Sequence, residues 1–352
     1  MTRRVLIGAA FLAAAAWGQR PEPDGPVDES ARQQVVNTLA ERLENRYVFP
    51  KTAKKIVETL RRKQQDGGYK SLDTGRAFAR QLTADLQEIS KDKHLRVNYV
   101  HEGVPELRRP SPEDIERQRK NMARMNYGFE KVERLEGNIG YLDLRGFMDP
   151  ALGGDTAFAA MQFLANTDSL IIDLRRNGGG SPGMVALITS WLFGDNRVHL
   201  NDLYYRPADS TEQWHTLPWV PGKRYAGKDV YLLTSKYTFS AAEEFTYNLK
   251  NLKRATIVGE TTGGGAHPGE GVKLHDKFSA FISTGRAINP YSKTNWEGTG
   301  VAPDVAADAE TALKKAHLMA LEKLLEKGGL EPPRLKQAIE DKIVSLKKEL
   351  GQ

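Results

Sequence analysis

The stretch "VYLLTSKYTFSAAEEFTYNL" (residues 230–249) carries an apolar run, a short polar turn, a serine and a helical pattern. Ser240 followed three residues later by Glu243 reads as a capping box, in which the hydroxyl accepts the Glu243 amide and the carboxylate reaches back to the serine N–H. Phe245, Leu249 and Leu252 recur at helical spacing behind it, so the helix needs no chemistry to explain it. The same geometry also suits a nucleophile. A serine at a strand-to-helix turn presents its oxygen at an open helix N-terminus, where an unpaired amide such as that of Ala241 can stabilise an oxyanion. The two readings are compatible.

A second turn, "LIIDLRRNGGGSPG" (170–183), takes a buried strand into a helix through three successive glycines. Glycine lets backbone N–H groups approach a ligand closely and converge on a negative oxygen, but it also makes ordinary tight turns. The spacing matches neither a P-loop nor a dinucleotide-binding fingerprint. Histidines stand at His94 in "SKDKHLRV", at His101 a few residues on, and at His267 in "TTGGGAHPGEG". No spaced His/carboxylate set of the HExxH kind occurs, which disfavours a metal hydrolase, and no metal is expected. The chain has no cysteine, hence no thiol nucleophile and no disulfide framework.

These residues need a scaffold. "MTRRVLIGAAFLAAAAWG" reads as a signal peptide over 1–18, with Ala16 and Gly18 before the cut, and implies a secreted or periplasmic protein with no stable membrane span after cleavage. A proline-rich lead-in covers 19–30. Three amphipathic patterns predict a helical subdomain over 31–92. A first strand near 94–100 and a charged helical connector capped by Ser111 fill 93–136. From 137 to 326 short β-rich runs, "IGYLDL", "SLIIDLR", "DVYLLTS" and "ATIVGE", alternate with helices, which predicts an α/β core. A last helix follows in 327–352. The net charge of +6 is interspersed along the chain without a basic stripe, so a nucleic-acid surface is not expected.

The runs "DLRRNGGGSPGM", "TSKYTFSAAEE", "KRATIVGETTGGGAHPGEG" and "NWEGTGVAPDV" resemble, in order and spacing, the tail-specific serine peptidase superfamily. That superfamily includes the C-terminal processing peptidases, the tricorn-type proteases and the repeats of interphotoreceptor retinoid-binding protein, and this chain looks most like the last branch. The resemblance implies a crotonase/ClpP-like α/β peptidase core with an N-terminal helical subdomain and no PDZ insert. It makes Ser240 the nucleophile and gives the oxyanion hole to the backbone of Ala241 and of Gly178 or Gly179. The processing peptidases use a lysine in the second glycine-rich segment; here none is present and the next is Lys273. A tricorn-type set is implied instead, with His94 as base and Glu297 as its orienting carboxylate, and with His267 as alternative base or substrate contact. Such a base must be neutral to act, so the rate is expected to fall below roughly pH 6.5, shifted upward by Glu297. The implied activity is peptide-bond hydrolysis of small peptides or unfolded segments without cofactor; the alternative is a non-catalytic carrier of retinoid-like or fatty-acid ligands. The oligomeric state is not legible.

Overall fold

The computed structural model describes residues 23–105, 111–330 and 332–351. The expected signal peptide over 1–18 and the start of the lead-in lie outside the described residues. In chain order the elements are α1 (Glu29–Arg46), α2 (Pro50–Gln65), α3 (Gly75–Ser90), β1 (Arg96–Tyr99), α4 (Pro112–Arg124), β2 (Phe129–Leu135), β3 (Ile139–Leu144), α5 (Pro150–Leu164), β4 (Ser169–Asp173), α6 (Pro182–Leu192), β5 (His199–Tyr205) and β6 (Ser210–His215). They continue with β7 (Asp229–Thr234), α7 (Ala241–Asn251), β8 (Thr256–Gly259), β9 (Gly269–His275), β10 (Phe278–Ser283), β11 (Gly285–Ile288), β12 (Val305–Ala306), α8 (Ala312–Lys327) and α9 (Pro333–Glu349).

Two compact units are formed. The first takes the described residues up to Pro110 together with Leu203–Glu212 and His267–Ile288, two segments from within the stretch 137–326 that the sequence reads as one core. Helices α1 to α3 begin at Asp28, Pro50 and Thr74, where side-chain acceptors or a first-turn proline deal with orphan amides. Their apolar stripes, including Leu39, Leu43, Ile56, Leu60, Phe78 and Leu82, form one core with the antiparallel sheet β1-β10-β9. Val97 stands opposite Ala280 in that sheet, and both side chains are buried.

The second unit holds a six-stranded sheet in the order β12-β8-β7-β4-β3-β2. Strands β3, β4, β7, β8 and β12 run parallel, and β2 pairs antiparallel to β3 at one edge. Parallel strands need long crossovers, which α5, α6 and α7 supply. Alternation along each strand covers both faces. Leu142, Leu170, Ile172, Leu232 and Ile257 meet α5, α6 and α7, whereas Tyr141, Ile171, Tyr231, Leu233 and Val258 meet α8 and α9. The connector helix α4 is capped by Ser111 with Pro112 in the first turn, as the sequence predicts.

Candidate active site

Strands β4 and β7 are neighbours in register, and their carboxyl ends each feed a turn that starts a helix. Leu174 donates its amide to the Leu233 carbonyl at 2.9 Å, so the two turns leave the sheet side by side. Asn177, fully buried, ties them to each other and to β3. Its Nδ2 donates to the Leu144 carbonyl at 2.9 Å, its carbonyl accepts the Phe239 amide at 3.1 Å, and its Oδ1 accepts the Gly179 amide at 2.8 Å.

The second turn ends at Ser240, whose backbone sits at φ 55° and ψ −122°. A non-glycine residue in so sparse a region costs of order 1–3 kcal/mol, and such strain persists only where the surroundings impose it. Here the neighbouring glycine turn helps impose it. A Cβ on Gly179, at φ +107°, would lie 2.8 Å from Ser240 Cβ and 2.9 Å from the Ala241 amide nitrogen. Only glycine allows that approach. The same turn-to-helix strain lifts the serine of a nucleophile elbow out of its sheet.

Of the three amides named as oxyanion donors, Gly179's is engaged by Asn177. Among the described residues, neither the Gly178 amide nor the Ala241 amide meets an acceptor. A Cβ on Gly178 would have nothing within 4 Å, so the space beside this amide is open.

Glu243 does more than close a cap. Its Oε2 accepts the Ser240 amide at 2.9 Å and the Gly265 amide at 2.8 Å, while Oε1 accepts the Thr262 hydroxyl and the Gly264 amide, both at 2.6 Å. The Glu243 amide faces the serine hydroxyl as in a capping box, without a cap hydrogen bond of full geometry. Burial pushes the Glu243 carboxyl up, against the pull of these four donors. The next residue, Glu244, has no such shell among the described residues. Burial raises it to about 7, with Asn201 opposing.

Glu297 lies in the loop zipped onto the same glycine segment. Its Oε2 accepts the Ala266 amide at 2.5 Å, Trp296 donates Nε1 to the Gly265 carbonyl at 2.7 Å, and Gly298 donates to the Gly264 carbonyl at 3.0 Å. The second unit thus brings Ser240, Gly178, Gly179 and Ala241 together and places Glu297 against the glycine segment that Glu243 braces.

His94 and His267 belong to the first unit. His94 occupies the turn just before β1, buried against Phe281, and its amide donates to Asp92 Oδ1 at 3.0 Å. Burial drives its imidazole down to about 4; the Asp92 charge opposes this, and Arg96 and His267 add to it. The expectation of a base near or above the ordinary histidine value is therefore corrected, because desolvation outweighs the neighbouring carboxylate. His267 Nδ1 lies 3.1 Å from Asp92 Oδ2, and its ring meets Phe49 edge-on at 5.2 Å. Lys273 pairs with Asp276 at 3.1 Å, and His101 Nδ1 lies 3.5 Å from the Tyr99 hydroxyl. The sequence reading missed Asn177 and Asp92. Both lie inside the quoted runs, Asn177 in "DLRRNGGGSPGM" and Asp92 in "SKDKHLRV", but their partners are set by the fold.

The second unit is therefore a mixed α/β sheet that carries a strained serine at the carboxyl end of a central strand. The model of peptidase family S41 matches residues 138–307, and that of the N-terminal domain of this family in eukaryotic IRBP matches residues 29–134. The chain belongs to peptidase family S41. Among solved structures, a candidate peptidase from Parabacteroides merdae is similar at a TM-score of 0.58 and 20% identity, over 84% of this chain and 98% of that one. A lipoprotein from Streptococcus agalactiae is similar at 0.52 and 16%, over 83% and 96%. The tricorn protease is similar at 0.54 and 14%, over 90% of this chain and 37% of its own. At these identities the likeness is one of fold.

Proposed function

We propose that the protein is a serine-type peptidase that cleaves peptide bonds through an acyl-enzyme on Ser240. The observation that carries this reading is the strained Ser240 backbone packed against Gly179 at the start of α7, since a helix cap alone gives no reason to hold a serine at positive φ. In the proposed reaction Ser240 Oγ attacks the scissile carbonyl carbon while His94 takes the hydroxyl proton. The oxyanion accepts the Gly178 and Ala241 N–H groups. Collapse expels the amine, which leaves with the proton held by His94, and water then repeats the sequence on the ester. Glu297 is assigned the carboxylate role beside the base, after the tricorn-type resemblance.

An activated ester substrate tests the acyl-enzyme directly. A burst of one leaving group per chain, followed by slower turnover, is expected; steady release without a burst, together with no ester adduct in the intact mass, contradicts it. The substrate class is a peptide or unfolded segment, and the leader over 1–18 directs export. N-terminal sequencing of the protein from its native host is expected to begin at Gln19. No helix among the described residues is long and apolar enough to cross a membrane.

A further inference from the structure

Asp92 has no part in the reaction just proposed, yet its side chain is fully buried in the turn between α3 and β1. A carboxylate in that setting is costly unless donors surround it. They do: the His94 amide reaches Oδ1 at 3.0 Å, and His267 Nδ1 and the Tyr47 hydroxyl reach Oδ2 at 3.1 and 3.3 Å. The Asp92 amide in turn donates to Ser90 Oγ at 3.1 Å, which pins the turn.

This shell fixes a proton. Burial raises the Asp92 carboxyl, but the hydrogen bond and charge of His267, then His94 and Ser283, hold it below the usual carboxylate range. An ionised carboxylate only accepts, so the nitrogen facing it, His267 Nδ1, must carry hydrogen. In the neutral ring the lone pair then lies on Nε2, and Phe49 at the ring edge restrains its plane. A ring nitrogen of His94 lies within 4.8 Å of an oxygen of the same carboxylate. The Asp92 charge favours the imidazolium, and the charges of Arg96 and His267 oppose it.

We infer that Asp92 is a positioning residue for both histidines: it fixes the His267 ring by accepting Nδ1–H, and it supplies the buried negative charge that supports a proton on His94. Its consequence for turnover rests on the peptidase reading; its consequence for the rings does not.

The test uses full-length protein labelled with 15N in its histidine rings. In the wild type His267 is expected as the Nδ1–H tautomer. Asp92→Asn, whose amide oxygen still accepts the His94 N–H, is expected to abolish that preference and to move the His94 titration midpoint to lower pH. With a peptide substrate, kcat is expected to fall about 10-fold or more while KM stays within about twofold. A wild-type His267 with hydrogen on Nε2 alone overturns the inference, as does an Asp92→Asn protein with an unmoved His94 midpoint. Should that variant not fold, the wild-type tautomer decides by itself. A wild-type protein that cleaves no peptide brings down the peptidase reading, while the ring measurements still decide the role of Asp92.

Discussion

Glu243 holds the Ser240 amide at 2.9 Å with the same carboxylate that grips the Gly264 amide at 2.6 Å, so the nucleophile's turn and the glycine loop share one anchor. A glutamine there would turn an NH2 group toward donors. Glu243→Gln is expected to lose at least about 2 kcal/mol of stability, because buried N–H groups are left unpaired, and to lose most peptide turnover. Chemical denaturation alongside a turnover assay checks this; a variant with unchanged midpoint and rate removes the anchor role.

Gly178 and Gly179, the first two of the three glycines before Ser181, should respond in opposite ways. Gly179→Ala places a methyl against Ser240 Cβ at positive φ, so it should destabilise by roughly 1–3 kcal/mol and abolish turnover. Gly178→Ala meets open space and keeps its amide, so stability should stay within about 0.5 kcal/mol and turnover should largely survive. Equal damage at both positions contradicts the packing of this turn.

Glu244 makes stability depend on pH with a definite sign. Its folded value, raised from 4.5 to about 7, lies above the unfolded one, so the folded protein binds the extra proton. The resulting contribution is complete below 4.5 and is lost as pH rises through 7. Across that window it amounts to about 3 kcal/mol. His94 works the other way: lowered from 6.5 to about 4, it contributes above 6.5 and loses this as pH falls through 4. Glu244→Gln should abolish the loss on the alkaline side only. Unfolding curves at a series of pH values, parent against variant, measure it, and parallel pH profiles refute it.

The rate profile has its own signature. With His94 as base, kcat/KM in the free enzyme should fall along an acid limb near 4, since the buried imidazole stays neutral above it. The residual activity of His94→Ala should lack that limb. A limb near the ordinary histidine value, unmoved by the substitution, assigns the base elsewhere.

Much of this was legible because it is local. The pairing of Ser240 with Glu243 three residues on marks the start of α7, and the runs at 139–144, 169–175, 229–235 and 255–260 appear as β3, β4, β7 and β8. Helix α5 was missed: "PALGGDTAFAA" carries two glycines and small residues, and its buried side begins with Gly153, Ala157 and Ala160, with the large apolar Met161 and Leu164 coming only in the last turn. The polar β6, with exposed side chains along most of its length, gave no alternation to read. In the site, Glu243's grip on residues 262–265 and the bond from His267 to Asp92 join positions 19 to 22 and 175 apart, which no spacing rule connects. The burial that depresses His94 is likewise a property of the packed unit, with Phe281 supplied from β10.

The central claim is that Ser240 is the nucleophile, and intact mass after treatment with an alkyl fluorophosphonate tests it most directly. One adduct per chain, mapped to Ser240 by peptide sequencing, is expected in the parent; none is expected in Ser240→Ala, whose peptide turnover should fall by about 1000-fold or more while the fold is kept. An unmodified parent, an adduct on another residue, or a Ser240→Ala protein that cleaves peptides as before would contradict it.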